Sequence, residues 1–267
     1  MKRGFTLVEL SIVLVIIGLL IGGILVAQSM ISTSKLTATV AQLQQFDAGM
    51  ENFKTKYGGL PGDAKVYGGD GDGIIDSGLY PNPSNFVAVF VCEIANFWNN
   101  LNPEEYPGVS TCPNIVQAYT TGPNKNVPLA KFGKTNSFYS VSYLCAIGSE
   151  LAETADARKG NYYFLMDSTQ AQTIDQTFYR FFTTTSANSA AKPSELLALD
   201  AKIDDKAADT GNVLSGRIGS RSGDSWGGIE PLPASGTCSL GANYLVANQS
   251  YECTPLIRIG AMAGDLQ

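Results

Sequence analysis

One stretch limits what this chain can become more than any other: the apolar run Phe5 to Ala27, FTLVELSIVLVIIGLLIGGILVA, preceded by Lys2 and Arg3 and interrupted by a single carboxylate, Glu9. As a helix the run is roughly 34 Å long, enough to cross a hydrocarbon core of about 30 Å. A cleavable secretory signal would carry a shorter apolar region followed by a small-residue cleavage site. Here Gln28-Ser29-Met30-Ile31 continues in helix formers, so the segment is expected to remain with the protein. Lys2 and Arg3 are the only charges before Glu9, and the next cation is Lys35. The positive-inside rule therefore places Met1 in the cytoplasm and the remainder outside. Glu9 is the anomaly, because an ionised side chain at membrane depth costs several kcal/mol and marks a functional position that needs a partner. The plainer alternative is a signal-anchor helix with Glu9 near the headgroups.

The residues around the anomaly carry a resemblance. Lys2-Arg3-Gly4-Phe5-Thr6-Leu7-Val8-Glu9-Leu10 resembles the processing site of type IV prepilins and of type II secretion pseudopilins: a basic leader, a glycine, a phenylalanine, and an acid at the fifth position after the cut. The resemblance is confined to about the first fifty residues. It implies that a prepilin peptidase cuts after Gly4 and N-methylates Phe5, and that in a filament Glu9 neutralises the amino terminus, Phe5, of a neighbouring copy. A charge pair in a low dielectric is worth most when both members would otherwise be unpaired. Many members of that family carry a helix-breaking proline near Val26, which this chain lacks; it offers Gly18, Gly22 and Gly23 instead. Glycines there could let the helix extend or melt on assembly, and Gly18 with Gly22 fits the GxxxG close-packing pattern.

The remaining length suffices for one sizeable globular domain. Net charge is −6 with a pI near 4.7, and no Lys/Arg cluster interleaves with aromatics, so a nucleic-acid site has no electrostatic footprint. The absence of histidine removes Ser-His-Asp and Cys-His nucleophile systems and histidine-ligated zinc. No spacing singles out a pair among the 24 acids for acid–base work.

Beyond the membrane run, Leu36, Val40, Leu43, Phe46, Met50, Phe53 and Tyr57 draw one apolar stripe along a 3.6-residue helix, which requires a cover. Gly58-Gly59 supply a C-terminal cap and Pro61 prevents resumption. The stripe thus reads as the core face beneath a head, consistent with the long spine that the resemblance implies. Ser84 reads as the N-cap of a helix through about Asn99. Asn102 to Lys134 reads as a long surface excursion with five prolines. Ser137 to Ile147 and Asn161 to Asp167, rich in aromatic and β-branched residues, read as strands, and Thr177 to Thr183 fits strand or helix. Ser194 opens a short helix to about Ile203. A second acidic, turn-rich segment, Asp204 to Asn212, follows, and Gly228 to Pro233 reads as irregular.

The turn-rich stretch Gly58 to Pro83 contains Asp70-Gly71-Asp72-Gly73-Ile74-Ile75-Asp76. Asp70, Asp72 and Asp76, with the Ile74 carbonyl, could fold around a hard cation such as Ca²⁺. The loop resembles the start of an EF-hand, although no glutamate closes it. A solvated turn accounts for the same residues. All five cysteines follow the membrane run, where disulfides persist if the domain is exported. Cys238 and Cys253 resemble the pair that closes the C-terminal loop of many type IV pilins. Five being odd, Cys92 is a buried thiol or the partner of Cys112 or Cys145.

These readings assemble into an α+β protein with a pilin-like plan. It comprises a leader over 1–4, a transmembrane helix over 5–27, an amphipathic continuation over 28–57, and a head over 58–267 with an antiparallel sheet packed on the spine. The expected role is a non-enzymatic filament subunit of a type IV pilus. Its partners would be copies of itself and other pilins, the prepilin peptidase, an inner-membrane assembly platform and the membrane, with no nucleic acid. The expected location is the inner membrane, single-pass, with the head in the periplasm, and then a filament. A type II secretion pseudopilin is the near alternative. A signal-anchored periplasmic binding or adhesive domain that never polymerises is the alternative of a different class.

Overall fold

The computed structural model describes residues 6–75, 92–102, 127–134, 137–144, 160–167, 189–220, 227–231 and 238–262. Its longest element is the helix α1, Leu7–Tyr57, 51 residues without a break. Thr6 caps its start, and Gly58 ends it at φ 75°, a left-handed turn that glycine adopts without a Cβ clash, its N–H donating to the Lys54 carbonyl. The apolar first half is exposed from Leu7 onwards, and Leu36 is the first buried residue. From there Leu36, Leu43, Met50 and Phe53 turn inward as the stripe requires, and Thr39 and Asp47 are buried on the same face.

The cover is a helix, a sheet and a second helix: α2 (Cys92–Leu101), β1 (Ser137–Leu144), β2 (Gly160–Asp167), α3 (Pro193–Ile203), β3 (Val213–Ser220), β4 (Gly227–Pro231), β5 (Ser239–Leu240), β6 (Asn243–Tyr244) and β7 (Thr254–Arg258). Five strands form one antiparallel sheet in the order β1-β2-β7-β3-β4, and β5-β6 form a separate small hairpin. The α+β plan of a long apolar helix with an antiparallel sheet therefore holds. Its packing centre is aromatic: Phe46 of the spine meets the rings of Trp98, Tyr139 and Tyr163 at centroid distances of 4.8, 5.4 and 5.8 Å. These are edge-to-face or tilted contacts, which rings prefer over face-to-face stacking.

The head departs from the sequence reading in three places. Gly228 to Pro233, expected to be irregular, contributes strand β4, because β3 offers it a partner from Gly216↔Pro231 to Ser220↔Gly227. Strands β3 and β7 have no counterpart among the segments whose sequence reads as strand. The helix after Ser189 starts one residue earlier than expected: Pro193, whose missing N–H costs nothing in a first turn, is its first residue, and the Glu195 carboxylate accepts the Lys192 N–H at 3.0 Å. Ser84 and the first part of its helix, Cys112, Cys145, Thr177 to Thr183 and most of the excursion after Asn102 lie outside the described residues, as does the side chain of Cys92.

Candidate functional site

The N-terminal assembly segment is organised by a capping box. Thr6 has extended backbone angles and its hydroxyl accepts the Glu9 N–H at 3.2 Å. The Glu9 carboxylate in return accepts both the Thr6 N–H and the Thr6 hydroxyl at 2.8 Å. A Thr three residues before a Glu forms this reciprocal pair wherever a helix begins, satisfying donors that the first turn leaves open. Glu9 thus has local partners within its own chain, on a helix end whose dipole favours a negative charge. The described helix is long and apolar enough to cross a membrane, and none of its apolar window is buried against the head. Gly4 and Phe5 lie outside the described residues.

At the other end of the spine, the acidic loop is drawn around two buried carboxylates that the sequence did not single out. Asp63, buried, accepts the Gly71 N–H at 2.8 Å on one oxygen and the Gly73 N–H at 3.1 Å on the other, and Glu93 of α2 accepts the Asp70 N–H at 3.1 Å. Asp70 and Asp72 close local turns by accepting the N–H groups of Asp72 and Ile74 at 3.1 and 2.7 Å. Asn161 of β2 then fixes the loop to the sheet, accepting from Ile75 and donating to the Gly73 carbonyl, each at 2.9 Å. Gly62 is confined by this packing as well as by its φ of 86°, since a Cβ there would collide with the Glu93 carbonyl. The structure therefore brings Asp70 and Asp72 together with Asp63, one oxygen of each lying within 4.8 Å of the others, while Asp76 lies outside the described residues. Burial raises the Asp63 pKa, opposed by its two amide bonds, and the charges of Asp72 and Asp70 push it further up. Asp63 stands in the turn-rich stretch quoted above, but seven residues before Asp70 and visible as a member only once the chain turns back.

Cys238 and Cys253 are joined in a disulfide with Cα atoms 5.1 Å apart. The loop they close carries the β5-β6 hairpin, which docks on α3 through one buried contact: the Tyr244 hydroxyl donates to Asp200 at 2.8 Å. Asp200 also accepts the Lys206 N–H at 3.2 Å. Burial pushes the Asp200 pKa up to about 6, against those bonds and with the neighbouring charges of Asp205 and Asp204. Around it Asp204 accepts the Asn212 and Val213 N–H groups, and Asp205 accepts the Ala207 N–H and the Thr210 hydroxyl. Cys253 also pairs with Ala191 as an isolated bridge, so the disulfide sits where the hairpin, the segment before α3 and the start of β7 meet.

Residues 1–25 match the family model described as the prokaryotic N-terminal methylation motif, the signature of type IV pilins and pseudopilins. No match was found among curated proteins or among solved structures.

Proposed function

We propose that this chain, whose N-terminus carries the type IV pilin and pseudopilin signature, is a structural subunit of a type IV pilus-like filament. In this reading prepilin peptidase cuts after Gly4 and methylates Phe5. The processed subunit waits in the inner membrane with its head in the periplasm, and an assembly platform extracts it into the filament. The observation that carries the reading is the coincidence of the motif with an unbroken spine whose apolar half projects, uncovered, from the head. That much exposed apolar surface needs lipid or neighbouring helices as cover. Assembly then replaces the local bonds that Glu9 makes to Thr6 with a charge pair to the amino terminus of a neighbour's Phe5, setting the axial register. The role is structural rather than enzymatic, as in the family that the motif defines. The disulfide-closed loop favours a pilus over a secretion pseudopilin.

The same reading includes a hard-cation site in the head, with Asp63, Asp70 and Asp72 as an all-oxygen donor set of the kind Ca²⁺ takes. Binding would stabilise the folded head by mass action. Thermal unfolding of the full chain in detergent should move upward in millimolar Ca²⁺ relative to chelator, and superimposable curves would remove the site. For the filament itself, intact-mass measurement of the native protein should find a chain beginning at an N-methylated Phe5. Glu9→Leu should still insert in the membrane, since it removes a charge from lipid depth, yet yield few or no filaments. An intact Met1 together with normal function would favour the non-polymerising anchor.

A further inference from the structure

The part of the spine that joins the apolar half to the head differs from both. From Gln28 to Lys35 the helix reads QSMISTSK, and every one of these residues is exposed. Its hydroxyls fold back on the helix itself. Ser29 Oγ donates to the Val26 carbonyl at 2.8 Å, and Ser32 Oγ and Thr33 Oγ1 both donate to the Ser29 carbonyl, at 2.8 and 3.0 Å. Thr37 Oγ1 donates to the Thr33 carbonyl at 3.0 Å. A carbonyl that serves side chains as well as the amide one turn on holds that amide less well, and such back-bonding loosens and bends helices.

Nothing on either side offsets the loss. Ser and Thr rank well below Ala as helix formers. No charged residue stands between Glu9 and Lys35, so the segment has no ion pair spaced one turn apart. The sequence before Ala27 is apolar enough for lipid, where every backbone group must be bonded internally, and from Leu36 the spine is packed on the head. Gln28 to Lys35 is exposed and polar, and in the membrane-anchored reading it lies beyond the apolar run, where water can compete for its amides.

We propose that Ser29 to Lys35 is a neck in the spine, helical at rest and readily opened, which uncouples the direction of the head from that of the membrane span. The proposal rests on the membrane-anchored reading but not on filament formation. It places the compliant point outside the membrane, beyond the glycines Gly18, Gly22 and Gly23, and supplies it through hydroxyl side chains without a proline. A subunit leaving a flat bilayer for a filament would use that freedom to turn its head without unpacking it.

Hydrogen–deuterium exchange of the full chain in lipid nanodiscs tests the neck, with retention in alkaline-washed membranes reporting the anchor separately. Amides of Met30 to Leu36 should exchange at least tenfold faster than those of Thr39 to Met50. The triple variant Ser29→Ala, Ser32→Ala, Thr33→Ala should slow the neck by about tenfold, leaving the head unchanged, because each replacement restores helix propensity and frees a carbonyl. Neck amides as protected as those of Thr39 to Met50 would overturn the proposal. So would a triple variant whose neck exchanges at the native rate, which would show that the hydroxyls do not set the opening. Fast exchange centred on Gly18 to Gly23 instead would move the compliant point into the membrane and overturn it equally.

Discussion

Asp47 is the residue on which the spine and the end of the chain meet. It is almost fully buried, with one oxygen accepting the Tyr163 hydroxyl at 2.9 Å and the Gly260 N–H at 3.0 Å, and the other accepting the Met262 N–H at 2.9 Å. Burial raises its pKa; the two amides and the hydroxyl pull it down, and the charge of Glu51 adds to the rise. An amide can replace one oxygen but not both. In Asp47→Asn the carbonyl still serves Tyr163 and Gly260, while the NH₂ faces the Met262 N–H, donor against donor. The expected loss is about 1–3 kcal/mol, the cost of leaving one buried donor unsatisfied. Urea unfolding should show a lower midpoint at an unchanged slope. Asp47 was within reach of the sequence, since it falls four residues after Leu43 and three before Met50, on the stripe itself. The signal is an acid at helical spacing within an apolar face, which a stripe defined by its apolar members passes over. Glu9 is legible in the sequence as the single carboxylate of the apolar run, whereas the capping box that Thr6 makes with it is a local signal, three residues apart, that the sequence reading does not use.

At the scale of elements, legibility divided according to whether a segment's own pattern sufficed. The spine and strands β1 and β2 carry their periods in sequence, and Gly58 ends the helix where expected. Strand β3, VLSGRIGS, has two glycines and two serines, and β7, TPLIR, contains a proline, so neither advertises a strand. Pairing makes them strands. Pro255 lies opposite Ser215 of β3, while the ladder from β7 to β2 begins only at Leu256, so the proline stands beyond the end of that ladder. The disulfide hairpin is likewise held by tertiary contacts, among them Tyr244 on Asp200, and the burial of that carboxyl, which outweighs the hydrogen bond, makes stability depend on pH. A carboxyl at about 6 in the fold, against an ordinary value near 3.8, binds its proton more tightly when folded. Its stabilising contribution is therefore complete below about pH 4 and is lost as pH rises through 6. Asp47 and Asp63 shift in the same direction. The melting temperature of the native chain should fall between pH 4 and pH 7, and Asp200→Asn should flatten part of that slope. A slope unchanged in the variant would locate the titration elsewhere.

At the scale of the whole molecule, the spine is both an anchor and one wall of the head, and the two roles divide along its length. Every residue from Leu7 to Lys35 is exposed, whereas Leu43, Met50 and Phe53 are buried, Phe46 packs on rings of α2 and the sheet, Phe53 packs on Tyr57 and Tyr67, and Gln42 donates to the Leu129 carbonyl at 2.8 Å. The amphipathic stripe in the sequence made this division readable; it could not say that the covering wall is an aromatic cluster drawn from α2, β1 and β2, because those rings come together from distant segments. The consequence concerns where the chain can be cut. A protein beginning at Ser29 keeps every buried spine residue and loses only exposed apolar surface, so it should be soluble, monomeric and cooperatively folded. One beginning at Gly58 would lose four large apolar side chains from the core. At about 1.5–3 kcal/mol each, the loss is some 6–12 kcal/mol, comparable with the entire stability of a typical domain. It would also expose the faces of Trp98, Tyr139 and Tyr163 that Phe46 covers and leave Tyr163 without its carboxylate partner. The shorter chain should therefore lack a cooperative thermal transition and the near-ultraviolet circular dichroism of packed aromatic rings, both of which the longer chain should show. A cooperative transition from the Gly58 chain would mean that the sheet and α2 close a core without the spine.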